Sequence, residues 1–219
     1  MTNFVVRILS EYWTINLTYT DMNIRKRNIV FAAAMFMLVR MFAQGPGNSG
    51  TYYRQADGKK GSELKTALWS VIKDHTQRSY KQLWEDFKTT DKRSDGKVWD
   101  MYSSITNYTF GDDQAGNYSV EGDVYNREHS FPKSWFDDGY PMYTDLVHLV
   151  PADGYVNGRR SNNPFGETKG ERWQSAGGFS KLGQSTVSGY NGVVFEPNDE
   201  YKGDFARIYF YMATCYEDK

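Results

Sequence analysis

Three stretches of the chain carry apolar residues at helical spacing. In GSELKTALWSVIKDH, Leu64, Ala67, Leu68, Val71, Ile72 and His75 recur at intervals of three and four, with Ser62 as the expected N-cap. SYKQLWEDFKTTD repeats the stripe at Tyr80, Leu83, Trp84 and Phe87 behind Ser79. GDFARIYFYMATCY repeats it at Phe205, Ile208, Tyr209, Met212 and Tyr216 behind Asp204. Between the second and third stretches Gly, Asn, Asp and aromatics predominate, which predicts short strands and ordered loops. Residues 144–150 read as a strand broken by Pro151, and Pro151 as the first turn of a short helix carrying Asn157 and Arg160. Gly154 and Gly158 make that helix poor by propensity, so something besides its own backbone must hold it, a bound metal being one candidate. No repeat, low-complexity tract or domain-separating linker interrupts the pattern. The expected architecture is a single mixed α+β domain.

Composition sharpens this picture in two places. At 219 residues the chain is long enough for one sizeable core, and a 16% aromatic content supplies large rings where the 39% apolar share is modest. The net charge of −1 conceals an uneven start: residues 1–44 hold five Lys and Arg against two Asp and Glu, leaving 21 against 25 beyond them. An acidic balance of that kind excludes a broadly basic nucleic-acid surface; any such binding must use a local groove or a metal ion. The basic start has its own reading. Arg25, Lys26 and Arg27 precede an 11-residue apolar run at 29–39, and small residues follow near Ala43. Residues 22–44 are therefore expected to be a secretory signal peptide, with a buried amphipathic helix as the alternative. The run is short for a membrane span and Arg40 closes it. Residues 1–21 read as an over-extended gene start ahead of Met22. The lone Cys215 excludes an intrachain disulfide and reads as a small buried apolar residue.

Candidate chemistry concentrates in YNREHSFPKSW (125–135) and YTDLVHLVPADGYVNGRRSNNPFGE (143–167). Glu128 offers a hard anionic oxygen and Asn157 a neutral one, a pair suited to Mg²⁺ or Ca²⁺ and poorly suited to zinc. Glu128 and His129 are adjacent, so on a strand they point to opposite faces. That favours divided labour: an ion on Glu128, and a neutral imidazole at His129 as general base. Arg127, Arg159 or Arg160 could clamp phosphate oxygens through the guanidinium fork. His148, between Val147 and Leu149, reads as a satisfied buried histidine, and His75 as a helix-end core or capping residue. A zinc hydrolase built on Glu128, His129 and His148 is a rival reading.

These motifs, with FEPNDEYKGDFARIYFYMATCY, YYRQADGKKGSELKTAL, WEDFKTTD and VWDMYS, resemble the endonuclease I family of secreted and periplasmic bacterial nucleases. The likeness runs from about residue 52 to residue 216. It implies an α+β domain built around a ββα-metal, HNH-like finger with flanking helices. It further implies a Mg²⁺-dependent endonuclease, Ca²⁺ or Mn²⁺ being alternatives, that cleaves DNA and also RNA non-specifically to 5′-phosphate ends. By motif position, His129 is the general base, Glu128 and Asn157 are the metal ligands, and Arg160 contacts the phosphate or transition state. Arg127 and Arg207 match family positions and join Arg159 as phosphate-binding candidates, although Arg207 reads equally as a buried structural arginine. His148 and Asp145 would support the site. The expected protein is a secreted or periplasmic monomer, free of the membrane once the signal is removed. Residues 45–219 would be the nuclease domain, apparently truncated because the family continues past the last helix. Between Arg127 and Arg172 six Lys and Arg face seven Asp and Glu, so nucleic-acid affinity should be modest and strongly salt-sensitive. The competing reading is a catalytically inactive extracellular binding module using aromatic loops such as NYTFGDDQAGNYS.

Overall fold

Helix α1 spans Gly61–Ile72 and begins on the backbone of Lys60, so the expected Ser62 cap falls inside the first turn. His75 lies beyond the end of α1 rather than on its stripe. Helix α2 spans Leu83–Thr90 and buries Leu83 and Phe87 completely. It starts later than its stripe because residues 79–82 close a turn of their own. Ser79 N donates to Gln82 Oε1 at 2.9 Å, and Gln82 N donates back to Ser79 Oγ at 3.3 Å. The last helix, α4, is longer than the pattern suggested, running Asp199–Cys215. Asn198, not Asp204, caps it, accepting from Glu200 N at 3.1 Å. Asp199 and Glu200 then complement the helix dipole, which offsets the propensity cost of Gly203 in the interior.

The centre of the fold is a strand–strand–helix unit. Strand β1 (Tyr125–His129) pairs antiparallel with β2 (Leu149–Asp153) in a register that sets Glu128 opposite Val150 and His129 opposite Leu149. Pro151 was expected to break the strand, yet it sits inside β2 opposite Arg127. The reason is hydrogen-bond parity. Ser130 N bonds His148 O and Gly154 N bonds Val124 O, so even-numbered residues carry the ladder and Pro151's missing N–H points away from β1. Helix α3 (Gly154–Arg160) therefore starts three residues later than expected, capped by Asp153, whose Oδ1 accepts from Val156 N at 2.8 Å. Its two glycines have a steric explanation. A Cβ on Gly154 would stand 2.7 Å from Tyr118 Cδ1, and one on Gly158 would stand 3.0 Å from the Tyr118 hydroxyl.

A second small antiparallel sheet, β3 (Trp173–Gln174), β4 (Lys181–Gln184) and β5 (Val193–Glu196), follows in the order β3-β4-β5. Tyr102, Val150, Ala152, Val156, Phe195 and Phe205 form one buried cluster that joins β2, α3, β5 and α4. Each large ring withdrawn from water there contributes on the order of 1.5–3 kcal/mol. A second cluster of Met142, Met212, Cys215 and Tyr216, flanked by Ile72, ties the turn at Met142–Thr144 to α1 and α4. The computed structural model describes residues 50–219, and Gln55–Lys219 forms one compact α+β unit. The gene-start and signal-peptide expectations for residues 1–44 lie outside the described residues. Among the described residues no helix is long and apolar enough to cross a membrane.

Candidate active site

Strand alternation divides the site into two faces. Asn126 and Glu128 project to the side covered by α3, where Asn157 and Arg160, three residues apart, share one helix face. Two rungs connect them. Asn157 Nδ2 donates to Asn126 Oδ1 at 2.6 Å, and Arg160 Nη1 donates to Glu128 Oε1 at 2.6 Å. Glu128 Oε1 also accepts from the Tyr102 hydroxyl at 2.8 Å. Glu128 Oε2 and Asn157 Oδ1 receive no hydrogen bond among the described residues, so one anionic and one neutral oxygen remain available on the same face. That donor pair fits a hard cation that keeps several waters.

Arg160 is only 1% exposed, and its donors are fully committed. Besides Glu128, Nη1 bonds His129 O at 2.9 Å, Nη2 bonds Ser130 O at 2.7 Å and Tyr209 Oη at 3.4 Å, and Nε bonds Asn163 O at 3.2 Å. All five guanidinium hydrogens are thus directed at protein acceptors. The expected phosphate contact from Arg160 has no donor left in this arrangement. Burial works against its charge, but Tyr102, Glu128 and Tyr209 outweigh that and hold its pKa above the usual arginine value.

On the other face, Arg127 and His129 lie two residues apart. His129 Nε2 sits 3.1 Å from Tyr143 O, an acceptor that keeps the proton on Nε2 and leaves the Nδ1 lone pair unbonded among the described residues. The imidazole is packed by Tyr143 (centroids 4.9 Å apart), His148 (5.5 Å) and Tyr80 (6.1 Å). Burial, followed by the neighbouring His148, lowers its pKa to about 4, so it is neutral near pH 7. His148 is fully buried, and its Nε2 lies 2.6 Å from Met142 O. Burial lowers its pKa as well. Three buried atoms in this region, Arg127 Nε, Thr144 Oγ1 and His148 Nδ1, have no hydrogen-bond partner among the described residues. Unsatisfied buried polar groups call for an explanation, and a catalytic site with ordered water is one.

The remaining candidates separate. Arg127 is stacked between Tyr80 (3.5 Å) and Trp84 (4.2 Å) and bonds Tyr80 O at 2.6 Å. Arg159 is exposed and leans on Tyr155 and Trp173. Arg207 is neither buried nor joined to this site: it is 72% exposed on α4 and paired with Asp204. Asp145 holds no contact with Glu128 or Asn157; it accepts from Tyr211 at 2.8 Å and Tyr216 at 2.7 Å. The zinc reading on Glu128, His129 and His148 fails on geometry, because Glu128 faces away from both imidazoles. Sequence reasoning missed Tyr102, Tyr143 and Asn126. A backbone carbonyl such as Tyr143 O leaves no side-chain signal, whereas Asn126, two residues before Glu128 on its face, could have been found by strand parity.

The fold and site define an α+β protein whose ββα finger presents a carboxylate and a carboxamide on one face and a neutral imidazole on the other. Residues 60–219 match the endonuclease I family, and the chain belongs to it. Two curated relatives are an extracellular ribonuclease of Bacillus amyloliquefaciens, 37% identical over 171 residues, and an extracellular ribonuclease of Bacillus subtilis (strain 168), 37% identical over 174. These alignments cover 76% and 78% of this chain but 54% and 55% of the relatives. The chain spans about half the length of the curated relatives it matches.

Proposed function

We propose that this chain is an exported endonuclease hydrolysing phosphodiester bonds of RNA and DNA, with His129 as general base. The observation that carries this reading is the His129 imidazole, kept neutral by burial and oriented by Tyr143 O so that Nδ1 is free. Nδ1 takes a proton from the attacking water as its oxygen bonds to phosphorus. The P–O3′ bond breaks, leaving a 5′-phosphate and a 3′ oxygen that picks up a proton from solvent. Glu128 and Asn157 would hold a Mg²⁺ ion, which when bound supplies positive charge to the developing 3′ oxygen. Tyr102 and Arg160 fix the Glu128 carboxylate, and Arg160 also ties α3 to the end of β1, so Arg160 is a positioning residue. Arg127 and Arg159 are the cations assigned to phosphate oxygens, Arg127 through the part of its guanidinium not bonded to Tyr80 O. RNA joins DNA as a substrate because the two curated relatives are named as ribonucleases. The same names support export, as does the signal-like pattern at 22–44.

The test is cleavage of plasmid DNA and of an RNA oligonucleotide with Mg²⁺ and with EDTA. Cleavage should require the metal and fall about 10²–10⁴-fold in His129→Ala, with circular dichroism unchanged. A folded wild-type chain that cleaves neither substrate would instead support the inactive binding module.

A further inference from the structure

The sequence pattern treated His75 as a helix-end residue and Cys215 as a buried apolar one. The fold brings both to Asp145, with one ligand atom from each within 4.8 Å of the others. The three come from separate segments: the stretch after α1, the turn before β2 and the end of α4. Asp145 and Cys215 are buried, while His75 keeps 24% of its side-chain surface.

Hydrogen bonding accounts for the sulfur contacts and for the tyrosines on Asp145, but not for the approach of His75 to Asp145. His75 Nε2 stands 3.7 Å from Asp145 Oδ2, beyond the usual limit of about 3.2 Å for an N–H···O bond. His75 Nδ1 stands 3.8 Å from Cys215 Sγ, and the thiol also meets Ile72 O at 3.6 Å and the Tyr211 hydroxyl. Around a tetrahedral ion with bonds of about 2.0–2.3 Å, ligand atoms lie roughly 3.3–3.6 Å apart. A small rotation of the partly exposed imidazole would present one nitrogen to both partners. Two hydroxyls bridge the space now: Tyr216, 2.7 Å from Asp145 and 3.2 Å from His75, and Tyr211, 2.8 Å from Asp145 and hydrogen-bonded to Cys215.

We infer that His75, Asp145 and Cys215 form a binding site for a divalent cation of the zinc class, separate from Glu128 and Asn157. One sulfur, one imidazole nitrogen and one carboxylate oxygen suit zinc and exclude Mg²⁺ as the preferred ion. On binding, the Cys215 thiol gives its proton to solvent and forms a sulfur–metal bond. The Tyr216 and Tyr211 hydroxyls yield their bridging positions, and no redox change is involved. The ion would join three segments of a chain that has no second cysteine to make a disulfide. This site stands independently of the catalytic reading.

Co²⁺ is the probe, since a cobalt–thiolate bond gives a charge-transfer absorption that carboxylate and amide ligands do not. Metal-stripped protein should bind Co²⁺ with that band, and Zn²⁺ should displace it and raise Tm. Cys215→Ser should abolish the band, His75→Ala should weaken Co²⁺ binding at least about tenfold, and Glu128→Gln should leave it intact. His75 is partly exposed beyond α1, so His75→Ala remains informative if Cys215→Ser does not fold. A folded wild type with no thiolate band, or one whose affinity is unchanged by His75→Ala, overturns the site.

Discussion

At the scale of residues, the molecule depends on an arginine with no surface. Arg160 donates to one carboxylate and three main-chain carbonyls, at Glu128, His129, Ser130 and Asn163, from an almost sealed position. A buried pair of this kind adds little over a well-packed apolar pair, but breaking it strands a charge. Arg160→Ala should therefore destabilise the fold by about 3–5 kcal/mol, read by urea denaturation. Arg160→Lys should recover only part of this, because a point charge cannot serve a planar fork of acceptors. An Arg160→Ala protein of unchanged stability with a raised KM alone would point instead to a phosphate contact.

At the scale of elements, the Glu196 cluster gives the small sheet its pH response. Glu196, at the end of β5, accepts from Thr168 N at 2.8 Å and from Lys202 Nζ at 2.9 Å, with Lys181 Nζ at 3.4 Å. Burial, the largest single influence, pushes its pKa up. The Lys202 and Thr168 hydrogen bonds and the two lysine charges together outweigh burial and leave it below the ordinary 4.5. A depressed carboxylate stabilises the fold above its unfolded value and loses that contribution as pH falls through the folded one. Stability should thus fall with acidification below about pH 4.5. Glu196→Gln should flatten that limb while lowering stability at pH 7 by about 1–3 kcal/mol, measured by chemical unfolding across pH. The same scale shows where sequence reasoning succeeds. The apolar stripes located α1, α2 and α4, because spacing reports burial directly. Their ends were misplaced wherever a neighbour decided: Asn198 extends α4, and a Ser79–Gln82 turn delays α2. Pro151 was misread because ladder parity depends on the partner strand. In the candidate site, side-chain chemistry pointed to Glu128, His129 and Asn157. The saturation of Arg160 and the meeting of His75 with Cys215 depend on contacts 30 to 140 residues apart in the chain.

At the scale of the whole molecule, charge is the constraint. The chain carries 27 acidic residues against 26 basic ones, and two cations near the site are already engaged: Arg160 by Glu128, Lys133 by Asp138 at 2.9 Å. On the proposed function, nucleic acid would bind through few phosphate contacts. Affinity of the His129→Ala protein for a fluorescent oligonucleotide should be modest and should fall with added salt, each phosphate contact adding about 0.9 to the slope of log affinity against log salt. Tight, salt-independent binding would contradict this.

The turn at Met142–Thr144 has a consequence for how this protein can vary. Its two successive carbonyls, Met142 O and Tyr143 O, hold His148 and His129 respectively. Main-chain oxygens are present whatever residue occupies the position, so exchange of the Met142 or Tyr143 side chain cannot delete either acceptor. A change in loop length can. In a mutational library, substitutions at 142 and 143 should be tolerated as far as packing permits. Single-residue insertions or deletions between 139 and 146 should be lost as a class, because each would shift both imidazoles out of register together.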